Sequence, residues 1–170
     1  MGLKFKAFLM LAVVLLQVTV LSHFTLFGVI PNFIFAFTFA LCIINDNAES
    51  VVFATVTGLL VDMLTGANIG INTLLYMYTA IAAIVIISFA YQKSMKVVIP
   101  MCLTATFLYE FIFGILSFLF RGAKISFADI FGVVIPACMV NTLVFIPVYV
   151  VLSRLRFEKK RKGIRYEQQI

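Results

Sequence analysis

The charged side chains of this sequence are gathered into short bands that separate six apolar runs, Phe8–Ser22, Phe27–Ile44, Val51–Leu64, Ile71–Phe89, Val97–Phe120 and Ile130–Leu152. With 64% hydrophobic and 12% charged residues, there is too little polar surface to cover a soluble globule. Backbone polar groups in hydrocarbon must be satisfied within the chain, and these runs lack the alternation of a barrel strand, so each is expected to be an α-helix. The expectation is an all-α polytopic membrane bundle of about six transmembrane helices. Residues 1–152 would form one transmembrane domain and residues 153–170 a basic cytoplasmic tail; spans of about 20 residues leave no room for a soluble domain. Spans two and three are short, since Pro31 opens one and Asn45–Ser50 separates them closely. A shallow re-entrant hairpin with four full crossings is the alternative, and either count puts both termini on one side.

Basic residues set the orientation. Eleven of the thirteen fall on one side: Lys4, Lys6, Lys93, Lys96 and the seven after Leu152. Only Arg121 and Lys124 lie on the other, so both termini are expected in the cytoplasm. No small-x-small cleavage site follows the first run, which is therefore expected to be retained. Cys42, Cys102 and Cys138 are scattered singly in apolar runs and fit neither a disulfide framework nor a zinc site. His23 has no evident partner as a metal ligand. In the tail, Arg154, Arg156, Lys159, Lys160, Arg161 and Lys162 suit anionic headgroups or, alternatively, an acidic cytoplasmic partner.

Two acids sit within apolar runs. Asp62 lies in GLLVDMLTGANIG (58–70), with Gly58 four before it and Gly66 and Gly70 following at steps of four. A charge in lipid costs about 2.5–3.5 kcal/mol on insertion scales, so Asp62 should face other helices or water. Thr55, Gly58, Asp62, Thr65 and Gly66 share one helical stripe, a seam of the kind that lets helices approach closely and bond across. Snorkelling of Asp62 to the outer interface is the alternative. Glu110 is deeper, with Thr106, Gly114 and Ser117 on its face; it would either hold a proton or find a donor such as Asn141, Tyr76 or Thr79. No serine–histidine–aspartate set, HExxH or P-loop is present, which leaves no specific enzymatic signature.

Gln17, then LFGVIPN (26–32), then the Asp62 run with Asn72 and Leu74 after it, resemble the rod shape-determining MreD family. The resemblance runs from the first helix through the fourth; the last two spans fit in length and hydropathy. It carries over to Gln17, Gly28, Pro31, Gly58, Asp62, Gly66 and Gly70 as partner-binding or helix-packing positions, alongside Glu110 from the reading above. The family often has an acid after the proline where Asn32 stands, so a role needing charge there is not carried over.

The resemblance implies a non-catalytic scaffold, without cofactor or metal, in the bacterial inner membrane. Its implied partners are an MreC-like bitopic protein, MreB filaments, RodA and a class B penicillin-binding protein, together with membrane lipids and no nucleic acid. Asp62 would offer the partner helix a hydrogen bond. The implied fold is similar to the S component of energy-coupling-factor transporters. A substrate-binding S component is thus the alternative function, for which spans four to six should hold convergent polar side chains. Against it, KFKAFLMLAVVLLQ lacks an Ala-x-x-x-Ala pattern, and the outer loops offer few groups beyond Asn68, Asn72, Arg121, Lys124 and Asp129.

Overall fold

The computed structural model describes residues 3–45, 48–66, 70–89, 94–121 and 127–167, without the side chains of 3, 4, 120, 121, 127–130 and 156–167. Among the described residues there are six α-helices: α1 (Leu3–Thr19), α2 (Phe33–Asn45), α3 (Ala48–Thr65), α4 (Ile71–Phe89), α5 (Met95–Arg121) and α6 (Phe127–Glu167). Five of them contain runs long and apolar enough to cross a membrane, whereas α2 has 13 residues. At 1.5 Å per residue α2 is about 20 Å long, short of a hydrocarbon core of about 30 Å. The difference from the expected second span lies at its start, Phe33 rather than Phe27. Ahead of it, Leu26 and Val29 exchange backbone hydrogen bonds at 2.8 and 3.0 Å around a tight turn. Phe27 and Gly28 at the tip have φ of 52° and 79°. Two positive φ values in a row make a hairpin turn that a helix cannot contain.

Helix α2 is the centre of the bundle. Every residue from Ile34 to Ile44 is buried, and the helix touches α1, α3, α4 and α6. An α-helix that is apolar all round has no solvent or lipid face to preserve, and this one is enclosed by its neighbours. Its phenylalanines supply the packing: the Phe35 ring lies 5.1 Å from Tyr109 and 5.6 Å from Phe39, which in turn meets Phe145 at 5.7 Å.

The polarity gradient is that of a membrane protein. Apolar side chains such as Phe8, Leu16, Met63, Ile86 and Met139 point outward, while Thr57, Asp62, Asn72, Thr106 and Asn141 are buried. At the end carrying the starts of α1 and α3, Lys6 is buried and its ammonium lies 2.9 Å from Glu49 Oε1. The reading of Lys6 as interfacial charge thus gains a structural partner. At the other end the close of α1 meets the start of α2, so α2 runs antiparallel to α1. Helix α6 continues unbroken past Leu152 to Glu167, so the segment after the expected domain boundary prolongs the last helix.

Replacing Phe35 with alanine removes the ring that joins α2 to α5 and should destabilise the bundle by about 3 kcal/mol. Met139→Ala on the exposed face should leave thermal melting in detergent nearly unchanged. Equal shifts in both variants would contradict a core centred on α2.

Candidate functional site

A helix starts with backbone N–H groups that have no partner in their own first turn. Helix α4 starts at Ile71, and the residue in the capping position, Gly70, has no side chain to accept them. Asp62, one turn from the end of α3, reaches across instead. Its Oδ2 accepts from the backbone N–H of Gly70 (3.0 Å), the N–H of Thr73 (2.9 Å) and the Thr73 hydroxyl (2.6 Å). Its Oδ1 accepts from the N–H and the Nδ2 of Asn72 at 3.2 and 2.9 Å. The carboxylate is completely buried, and these five donors, together with the positive end of the α4 dipole, supply the stabilisation that lipid cannot.

The glycines of the run each have a geometric task. A Cβ on Gly58 would sit 2.6 Å from Thr73 Cα and 2.7 Å from the Asn72 carbonyl oxygen, so α3 and α4 touch backbone to backbone there. Gly66 and Gly70 have φ of 61° and 93°, the left-handed conformations that end α3 and turn the chain into α4. The seam expected from Thr55 and Thr65 works differently: both hydroxyls donate to carbonyls of their own helix, Val51 and Val61. Across the α3–α4 contact the hydrogen bonds come from Asp62.

The start of α2 is held by a second set of amides. Gln17 donates through Nε2 to the Pro31 carbonyl (2.9 Å) and accepts the Phe33 N–H through Oε1 (3.0 Å). Asn32 Oδ1 accepts the Phe35 N–H at 2.8 Å, which is the ordinary helix cap. An amide oxygen serves that purpose without charge, which accounts for asparagine at a place where an acid would also cap. The Asn32 N–H donates to Asn141 Oδ1 at 2.8 Å, tying the turn to α6. Asn141 Nδ2 lies 3.5 Å from Glu110 Oε1, so the donor expected for Glu110 on the last helix is present. The other two candidates point elsewhere: Tyr76 donates to Asn32 Oδ1 (3.4 Å) and Thr79 to carbonyls within α4.

These groups converge on a cavity of about 440 Å³ bounded by parts of α1 to α5. Gln17, Ser22, Thr65, Asn72, Tyr76, Tyr109 and Glu110 all line it, with the two phenol rings 5.4 Å apart. The Tyr109 hydroxyl donates to Asn72 Oδ1 at 2.6 Å, so the Asp62 cap continues into the cavity wall. Gly28 and Pro31 belong to the turn outside it. Of the basic group, Arg154 is exposed; the side chains of Arg156, Lys159, Lys160, Arg161 and Lys162 lie outside the described residues, as do Asn68, Lys124 and Asp129. Among the described residues no cluster of histidine, cysteine, aspartate or glutamate could hold a metal ion. Thr73 and Tyr109 were not singled out from the sequence, although a helix start behind a glycine signals the need for an acceptor nearby.

A family model described as rod shape-determining protein MreD matches residues 3–157. The chain belongs to the MreD family. It is accordingly a multi-pass membrane protein of rod-shape determination, in a family that is part of the MreB/MreC shape-determining system and is not known for enzymatic activity. No curated protein and no solved structure matches the chain. Two of the positions that carried the resemblance, Gln17 and Asp62, prove to bind helix starts within the chain itself.

Removing the Thr73 hydroxyl by Thr73→Val should cost about 2 kcal/mol, the range for a hydrogen bond to a charged group. Thr79→Val, where the hydroxyl only returns to its own helix, should cost a small fraction of that. Thermal unfolding of the two purified variants checks the difference.

Proposed function

We propose that this chain is the membrane scaffold of the cell-elongation machinery, binding an MreC-like bitopic protein and coupling MreB filaments to the peptidoglycan enzymes RodA and a class B penicillin-binding protein. The observation that carries this reading is the family match over residues 3–157. Both termini lie in the cytoplasm, in keeping with the eleven basic residues on that side. The prolonged α6 then carries the tail's basic residues, Arg154 onward, away from the bilayer toward anionic lipid headgroups and the filament side.

The partner's transmembrane helix packs on the outer half of α3 and α4. Each helix offers an exposed apolar stripe there, Leu59 and Met63 on α3 and Leu74 and Tyr78 on α4. Asp62 acts behind this surface. Its carboxylate is occupied by its own chain, so it fixes the spacing of the two helices and leaves the contact to the side chains in front. The turn at Phe24–Ile30, with Phe27 almost fully exposed, gives a partner a second apolar foothold where its helix leaves the bilayer.

The S-component reading retains one observation in its favour, a cavity with several polar groups, although α1 to α3 line it along with α4 and α5 and none of its lining residues comes from the last span. Co-purification of the tagged chain from native membranes, quantified by mass spectrometry against an untagged control, separates the two. The scaffold reading expects a bitopic protein with an extracytoplasmic domain, together with wall-synthesis enzymes. A membrane coupling protein with paired ATPases would overturn it. In a Met63→Trp/Tyr78→Trp variant, the added bulk is tolerated by lipid but wedges a helix contact, so recovery of the bitopic partner should fall several-fold. Undiminished recovery would move the partner to another face.

A further inference from the structure

The cavity contains a carboxyl group that the protein itself leaves half-used. Glu110 lies on α5 in the cavity wall, partly buried, and its one hydrogen bond among the described residues is the long 3.5 Å approach of Asn141 Nδ2 to Oε1. Its other oxygen has no partner among the described residues. The contrast with Asp62 is direct: that acid collects five donors from the same bundle. The described ion pair, Lys6 with Glu49, joins the starts of α1 and α3, far along the helices from Glu110.

The surroundings of this oxygen favour positive charge. Tyr76 and Tyr109 stand in the same wall with their rings 5.4 Å apart, and both hydroxyl hydrogens are committed, to Asn32 and Asn72, so the phenols have only oxygen lone pairs left to offer a guest. Asn72, whose amide donates to the buried Asp62, turns its own amide oxygen to Tyr109 and so presents no cation of its own. The remainder of the wall includes Val18, Ile34 and Phe113 and is apolar. A cavity of about 440 Å³ is within the ordinary size range for small organic ligands. An ammonium meets a carboxylate and phenol oxygens favourably, a carboxylate guest would meet like charge, and a neutral guest would forgo the charge-assisted bond.

We propose that the cavity between α1 and α5 is a binding site for a small amine with an apolar or aromatic body, whose ammonium is held by the free oxygen of Glu110 beside Tyr76 and Tyr109. The site is separate from the α3–α4 surface assigned to the partner helix, and its occupancy is independent of that assignment.

The test uses the full chain in lipid nanodiscs and three probes that share an indole ring and two-carbon chain: tryptamine, tryptophol and indole-3-acetate, each titrated against empty nanodiscs. Saturable binding of tryptamine is expected, with tryptophol and indole-3-acetate about tenfold weaker, the low end of what a hydrogen bond to a charged group contributes. Glu110→Gln should remove that preference for the amine while keeping the melting temperature of the unliganded protein. Val18→Phe, which fills the cavity and leaves Glu110 in place, should abolish binding of all three. Equal binding of tryptamine and tryptophol, an unchanged preference in Glu110→Gln, binding that survives Val18→Phe, or no saturable binding of tryptamine would each overturn the proposal.

Discussion

Everything at one end of this bundle depends on a carboxylate that replaces a missing helix cap. Helix α4 begins behind a glycine, and its first N–H groups would be stranded in a medium without water. Asp62 satisfies them from the neighbouring helix, which binds the close of α3 to the start of α4. The backbone contact at Gly58 is possible because those helices are held there, and the contact in turn keeps the carboxylate within reach. Cost and benefit are local: an ionisable group that lipid would penalise is stabilised by N–H groups that lipid would also penalise.

The same economy recurs at the start of α2, where neutral amides suffice. Gln17 and Asn32 cap that helix, and Asn141 fastens the turn to α6. The two capped starts are joined through Asn72, Tyr109 and Tyr76 around the cavity. Polar side chains thus form a continuous lining at one end of a bundle whose outside is apolar. Close packing there and a pocket with polar groups in its wall are two results of one arrangement.

Much of this was legible in the sequence. The apolar runs gave the helical bundle, and the spacing of glycines around Asp62 marked the seam that became the α3–α4 contact. Asn141 was one of three donors that the sequence offered Glu110, and only the fold separates it from Tyr76 and Thr79. Other parts were hidden for physical reasons. Phe24–Ile30 is as hydrophobic as a helix, and only the backbone dihedrals at Phe27 and Gly28 distinguish its turn. Thr55 and Thr65 share the Asp62 stripe, yet a threonine in a helix can return its hydroxyl to the preceding turn, and spacing cannot tell the two outcomes apart. Whether Asp62 would bond a partner or its own chain depends on which helix start lies opposite, a tertiary fact.

Helix α2 is enclosed along its whole length by α1, α3, α4 and α6. A helix that meets no acyl chains is not subject to hydrophobic mismatch, so its 13 residues impose no thinning on the bilayer. Membrane thickness acts on the longer helices around it. The protein can therefore keep a short, capped helix at its centre while presenting to its surroundings the profile of an ordinary spanning bundle.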